Sequence, residues 1–323
     1  MAEIPVLDAK KWVSGDDQER LDFARGLRHG LETLGFIKLI NHGFSEEDLK
    51  GIFHWNKRFF ELPLEQKACI ANVPGPKPQR GWSGLGVEKT ATLNTPGNRS
   101  HANLEDAKEH FDCGPSTDVQ FPNVWPEDMD CRFRHFVEAY FEKGQQISLG
   151  LMEALEIGFE LPRGTFTDRC NGDASELRLN HYPAISAAKL KDGTTHRIWP
   201  HTDFGIITLL VQDMVGGLEI WDNVSQTDFL PVIPSSPFEL VVNAGDTLQR
   251  WCNNVIKAGL HRVATPQLEC DIVPERFSVA FFLKAAREQP VGSIEHFVSA
   301  EEKPLYENIT ALEFQALRTG NVY

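Results

Sequence analysis

His201 and Asp203 stand two positions apart in RIWPHTDFGIITLL, residues 197–210, and a second histidine, His261, follows in AGLHRVATP at 258–266. Two imidazoles and a carboxylate are the donors of a facial triad, which occupies one face of a non-haem Fe(II) and leaves the other face open for exchangeable ligands. The His-x-Asp spacing alone is weak evidence, because His110 and Asp112 repeat it. Surroundings separate the two copies. The run FGIITLLV at 204–211 is short, apolar and rich in β-branched residues, which predicts a buried strand; side chains two apart on a strand share a face, so His201 and Asp203 could aim at one ion. The other copy lies in EDAKEHFDCGPSTD, a charged stretch broken by Gly and Pro, which predicts a loop or frayed helix end carrying a solvated pair.

PERFSVAFFLK at 274–284 predicts another strand, with Arg276 and Ser278 on one face. A guanidinium is a rigid fork of donors that fits a carboxylate, and a neighbouring hydroxyl can complete the grip. An arginine turned into a barrel is costly unless an anion meets it. The distal carboxylate of 2-oxoglutarate would be such an anion. ELRLNHYP at 176–183 alternates in the same way, placing Arg178, Asn180 and Tyr182 on one face and His181 on the other. The Tyr182 hydroxyl could join the carboxylate site and Asn180 could bond the end of the co-substrate nearer the metal, although Arg178 and Asn180 equally fit an exposed polar face.

The elements that must hold these groups follow from periodicity and punctuation. Leu21, Ala24, Leu27, Leu31 and Leu34 form a helical stripe that stops before Gly35; GFIKLINHG then predicts a strand, and Ser45 opens a second helix with acidic residues in its first turn. Residues 74–86, dense in Pro and Gly, predict a long loop. A long amphipathic helix is expected over roughly 130–160, with Phe133, Phe136, Val137, Tyr140, Phe141, Ile147, Leu151 and Leu155 facing a sheet. From 176 to 284 short β runs alternate with turn residues, the pattern of a barrel or a double-sheet jelly roll, and a C-terminal helix near 305–320 is placed to cover its mouth.

In order, Asn-x-Tyr-Pro, HTDFGIITLL, GGLEIWD, VVNAGDTLQRWCNN, GLHRV and RFSVAFF resemble the isopenicillin N synthase-like branch of the Fe(II)/2-oxoglutarate-dependent oxygenases. IPVLD, GFIKLINHG, FFELPLEQK and GWSGLGVEK resemble that branch's N-terminal region, so the likeness spans nearly the whole chain. It implies a mixed α/β chain with a β-rich core, a double-stranded β-helix (jelly roll) flanked by helices and preceded by a mainly helical N-terminal region. The expected divisions are an N-terminal region at 1–120, a long helix and connector at 121–173, the oxygenase core at 174–285 and a C-terminal helical segment at 286–323. Iron would fall on His201, Asp203 and His261, and 2-oxoglutarate on Arg276, Ser278, Tyr182 and Asn180. Arg178, Phe204 and Phe282 are candidates for the substrate wall, the two rings suiting an apolar substrate. The implied reaction consumes O2 and 2-oxoglutarate, releases succinate and CO2, and hydroxylates, desaturates or rearranges a small molecule of secondary metabolism.

Two other readings stay open. Isopenicillin N synthase-type oxidases resemble the chain in the triad and in the Arg-x-Ser pair without consuming 2-oxoglutarate; Tyr182 and Asn180 favour the co-substrate-dependent majority. A non-redox jelly roll binding zinc or another ligand would use the same donors, but it gives Arg276 and Ser278 no task. His181, where plant members usually carry Tyr, and the stretch 186–199 depart from the common pattern and leave the substrate open.

The composition agrees with a folded enzyme. With 323 residues and 10% aromatics the chain can bury a large core. A net charge of −14 disfavours nucleic acid or an anionic membrane as partner. Six cysteines without a Cys-x-x-Cys pair predict free thiols in a reducing compartment, and no leader or long apolar run appears, so a cytoplasmic location is expected.

Overall fold

The structure, a computed structural model, describes residues 3–73, 75, 77–94, 104–170, 174–266, 271–299, 301 and 303–320. Two antiparallel-rich sheets face each other, and helices cover the outside of the larger one. The larger sheet has eight strands in the spatial order Val6–Asp8, Phe36–Ile40, Leu240–Ala244, Ile207–Gln212, Arg276–Leu283, Glu176–Tyr182, Glu109–Cys113 and Gly81–Ser83. The smaller runs Phe229–Pro231, Leu218–Trp221, His261–Val263 and Ile198–His201. Through the core the chain crosses repeatedly between these two sheets, from Ile198–His201 to Ile207–Gln212, to the hairpin Leu218–Trp221 and Phe229–Pro231, to Leu240–Ala244, to His261–Val263 and on to Arg276–Leu283, the arrangement of a jelly roll.

The helices begin and pack as their sequences dictate. Asp16 caps the helix Asp17–Thr33 through a reciprocal box with Glu19, and Ser45 caps Glu46–Phe60 in the same way with Asp48, each pairing two otherwise orphaned backbone donors. The long helix Cys131–Gly158 buries Phe133, Val137, Tyr140, Phe141, Leu151 and Leu155 beneath the larger sheet. Gly144 permits a close approach to the sheet: a Cβ there would lie 2.8 Å from the Phe281 ring. A side chain at this position would push helix and sheet apart and open the core.

Two expectations are corrected. His110 and Asp112 sit inside the strand Glu109–Cys113, every residue of which is buried, rather than in a loop or frayed helix end. The stretch is polar because this strand borders a polar interior, so its charges are paired instead of solvated. The strand after His201 begins at Ile207, not Phe204, and Asp203 lies in the crossover between the two sheets. Strand alternation therefore does not aim His201 and Asp203 together; the crossover does.

Candidate active site

His201 ends its strand directly opposite His261 on the neighbouring one, a register pair that sets the ring centroids 4.3 Å apart. Asp203, at the crossover, brings Oδ1 to 3.9 Å from His201 Nε2 and 4.0 Å from His261 Nε2. All three donor atoms lie within 4.8 Å of one another, and no fourth His, Cys or carboxylate joins them among the described residues. Donors this close together would share one divalent ion.

The surroundings prepare each donor. His201 Nδ1 lies 2.9 Å from the Trp199 carbonyl and His261 Nδ1 lies 2.9 Å from the Gly259 carbonyl. A carbonyl only accepts, so each ring carries its proton on Nδ1 and offers the Nε2 lone pair. Burial, reinforced by His261, lowers the His201 pKa to about 3, keeping that ring neutral. Asp203 Oδ2 accepts from Thr208 Oγ1 at 2.6 Å and Asn243 Nδ2 at 2.8 Å, which leaves Oδ1 for the centre. Burial alone would raise the Asp203 pKa; the two imidazoles and these hydrogen bonds outweigh it and hold the group below its ordinary value. The donor set suits a divalent ion with an open face.

That face looks into a pocket of about 1040 Å³, its mouth included. All ten residues singled out from the sequence line it: His201, Asp203, His261, Arg276, Ser278, Tyr182, Asn180, Arg178, Phe204 and Phe282. Register explains the grouping, since Arg276 pairs with Tyr182, Ser278 with Asn180 and Ala280 with Arg178 across adjacent strands. Arg276 is 1% exposed, donates to Gln212 Oε1 at 2.8 Å and Ser278 Oγ at 3.3 Å, and has no partner for Nε among the described residues. Asn180 Oδ1 and Gln212 Nε2 are orphaned beside it. Buried polar atoms without partners mark where a ligand completes the site, and a carboxylate on Arg276 would supply both the acceptor and the missing charge. His181 points away, bonding Glu109 at 2.8 Å and stacking on Phe277.

Phe204 and Phe282 line the pocket together with Phe36, Leu93, Ile198 and Leu218, and the charged side chains Glu88, Lys108, Arg178, Glu176 and Lys284 share that lining. Arg178 donates to Glu88 at 3.0 Å and Asp112 at 2.8 Å, Lys108 pairs with Glu88, Lys284 with Glu176, and Arg80 reaches Glu176 at 3.2 Å. Burial and then Arg178 and Lys108 push the His110 pKa down to about 4, so it serves this network as a neutral ring. Gln79, Glu88, Lys108, Glu176, Lys284, Thr208 and Asn243 were all missed in the sequence. Asn243, Thr208, Glu176 and Lys284 stood in quoted motifs, and strand periodicity could have put Glu176 on the face of Arg178 and Lys284 on that of Arg276; Gln79, Glu88 and Lys108 carry no local signal. The C-terminal helix, Ala311–Thr319, closes the mouth as expected: Gln315 and Thr319 line the pocket, and Arg318 bonds Asp246 at 2.9 Å while lying over the Phe204 ring.

A double-sheet jelly roll with a His/Asp/His face at one end and an unpaired arginine beside it defines a non-haem oxygenase of the co-substrate-binding kind. Residues 174–285 match the 2OG-Fe(II) oxygenase superfamily, and residues 4–128 match the non-haem dioxygenase in morphine synthesis N-terminal family. The chain is 52% identical to the 2-oxoglutarate-dependent dioxygenase ecdK of Aspergillus rugulosus, over 98% of this chain and 99% of that one. It is 38% identical to the proline hydroxylase buaE of Petromyces alliaceus, over 99% of this chain and all of that one. Among solved structures, a full-length Neurospora crassa protein in complex with alpha-KG superposes with a TM-score of 0.88 at 31% identity, covering 98% of this chain and 95% of that one; the same Neurospora protein has also been solved with alpha-KG and thymine. This chain belongs to the Fe(II)- and 2-oxoglutarate-dependent oxygenases and is a dioxygenase. No helix among the described residues is long and apolar enough to cross a membrane.

Proposed function

We propose that the chain oxidises a compact, polar small molecule of secondary metabolism, held by the paired charges of the pocket wall above the metal face. The carrying observation is the contrast within one pocket: Arg276 has no ionic partner among the described residues, whereas Lys108, Arg178 and Lys284 each face a carboxylate. An uncompensated cation suits a fixed anionic co-substrate; paired ions of both signs can share hydrogen bonds with a dipolar substrate and stay neutral as a set. That relatives include a proline hydroxylase and a protein crystallised with thymine supports polar, ring-sized substrates.

In this reading His201, Asp203 and His261 hold Fe(II), and Arg276 with Ser278 and the Tyr182 hydroxyl hold the distal carboxylate of 2-oxoglutarate. Asn180 donates toward the co-substrate end nearer the metal. Fe(II) held by the triad would supply the coupling of O2 reduction and 2-oxoglutarate decarboxylation, with release of succinate and CO2, to oxidation of a substrate C–H bond. The protein's part is orientation: two carbonyl-anchored imidazoles and a doubly bonded aspartate keep their donors fixed, and Arg318 on Phe204 keeps the helical cover seated against water. Phe282 and Phe204 flank the bound substrate, with Arg178 fixing its polar end. The N-terminal region at 1–120 and the connector at 121–173 buttress the core at 174–285, and the segment at 286–323 covers the mouth. We place the enzyme in the cytoplasm, working on dissolved substrate without nucleic acid or membrane; its charge of −14 and the free thiols of Cys69, Cys113, Cys131, Cys170 and Cys252 support this, Cys270 lying outside the described residues.

Anaerobic addition of Fe(II) and then 2-oxoglutarate tests the reading. A weak visible charge-transfer band that needs both components is expected; its absence with iron demonstrably bound would leave the oxidase that does not use 2-oxoglutarate. Succinate release stimulated by free proline or other small amino acids, over apolar analogues of equal size, is the expected substrate response.

A further inference from the structure

Arg197 is a second buried cation with no evident employment. It is 0% exposed, its Nη2 donates to the Pro274 carbonyl, and its Nε and Nη1 have no hydrogen-bond partner among the described residues. No carboxylate lies within ion-pair distance of it among the described residues. Arg276 is in the same condition, and one aromatic ring connects the two: the Arg276 guanidinium carbon lies 4.7 Å and that of Arg197 5.9 Å from the centroid of Tyr182. Arg276 lines the active-site pocket; Arg197 does not, and borders a separate depression with Thr195, His196 and Arg262. Two buried like charges sharing one neighbour repel each other and are expensive unless something anionic balances them. Burial and then the Arg276 charge pull the Arg197 pKa down to about 10, in keeping with that geometry.

We propose that Arg197 and Arg276 form a two-cation seat around Tyr182 for the distal carboxylate of 2-oxoglutarate, with Arg276 in contact and Arg197 acting as a positioning residue through the tyrosine ring. This rests on the co-substrate role of Arg276 proposed above. 2-Oxoglutarate is a dianion, one charge at the metal end and one at the far end, and a single guanidinium only neutralises the far one. The second cation raises the potential there without occupying space in the pocket. It also holds the face of Tyr182 by attraction to the ring's π density, so the hydroxyl is fixed where the carboxylate arrives.

The test is calorimetric binding of 2-oxoglutarate, and of 2-oxovalerate, which keeps the 2-oxo acid end but lacks the distal carboxylate, to Zn(II)-loaded protein. Thermal unfolding of the metal-free protein accompanies it. Arg197→Gln should weaken 2-oxoglutarate on the order of ten-fold, leave 2-oxovalerate unchanged, and unfold no lower than the parent, because it removes an uncompensated buried charge. Arg197→Lys should retain most of the affinity, and Arg197→Met replaces the glutamine variant if that one does not fold. Unchanged 2-oxoglutarate affinity with a lowered Tm would make Arg197 a structural residue and overturn the proposal. So would an Arg197-dependent rise in Tm with inorganic phosphate and no loss of 2-oxoglutarate affinity, which would assign the guanidinium to the outer depression. Arg276→Leu run alongside separates the levels: if it binds 2-oxoglutarate normally, the co-substrate assignment itself fails; if it alone loses binding, only the two-cation seat fails.

Discussion

Replacing Asn243 by Leu removes one of the two hydrogen bonds that hold Asp203 while keeping the side-chain volume. Asn243 Nδ2 donates to Asp203 Oδ2 at 2.8 Å, and Thr208 Oγ1 supplies the other bond at 2.6 Å. Both residues are buried, at 3% exposure each, so water does not replace a lost donor. A hydrogen bond to a charged group contributes about 1.5–3 kcal/mol, and partners behind a metal ligand typically govern about 10–100-fold in metal affinity. Asn243→Leu is therefore expected to weaken Fe(II) binding about 10–100-fold, because the carboxylate loses both its orientation and part of the force that keeps it ionised. Thr208→Val should cost a similar factor, and the double variant less than the product, since both bonds end on one oxygen and the first loss already frees the carboxylate to turn. Anaerobic calorimetric titration of metal-free protein with Fe(II), with Co(II) as a redox-silent control, measures this directly. Affinities within two-fold of the parent in both single variants would refute the idea that Oδ2 anchoring prepares the site.

Arg276→Leu should raise the 2-oxoglutarate concentration needed for half-maximal turnover by at least ten-fold, with the metal affinity unchanged; steady-state kinetics beside metal titration separate the two, and equal loss of both would mean that the arginine supports the fold instead. Acid should destabilise the metal-free protein between pH 6.5 and about 4, because burial depresses the His110 pKa to about 4 and the unfolded chain takes up a proton there that the folded chain refuses, so stability rises with pH across that window. His110→Gln should flatten this slope by up to about 1.4 kcal/mol per pH unit, as read from denaturant midpoints, and an unchanged slope would clear His110. Arg318→Ala, which frees the C-terminal helix from Asp246 and Phe204, should raise the KM for substrate and the uncoupled consumption of 2-oxoglutarate together; a change in neither would deny the helix its covering role.

The triad was legible in the sequence because its chemistry is written in residue type, and the shared pocket faces because strand periodicity is local: Arg276 with Ser278, and Arg178 with Asn180 and Tyr182, need only their own strands to share a face. The reason given for His201 and Asp203 was nevertheless wrong, since a crossover rather than a strand aligns them. His110 and Asp112 were misread for a related cause. Charge and nearby Gly and Pro predict solvent when the partners are unknown, and the partners of this strand, Arg178 and Gln79, lie far along the chain. Asn243 sits in VVNAGD, an apolar strand where a lone amide looks incidental until the fold sets it beside Asp203. Pairing across distance is set by register and topology, neither of which a single strand's pattern contains.

The pocket's two ends illustrate why pairing matters more than charge type. Lys108, Arg178 and Lys284 contribute three positive charges to the wall, yet Glu88, Asp112 and Glu176 cancel them within hydrogen-bond distance, so a neutral dipolar molecule can enter without leaving an ion stranded. Removing one member strands its partner, which is why Glu88 substitutions should harm folding before they inform on specificity. At the Arg276 end the guanidinium has no carboxylate partner among the described residues, and in the proposed reading an entering carboxylate would supply one. On the proposed reading, binding energy there would come from a penalty the folded chain carries in advance, and the site would discriminate against 2-oxo acids that lack a distal carboxylate through what they fail to cancel rather than through any contact they make badly.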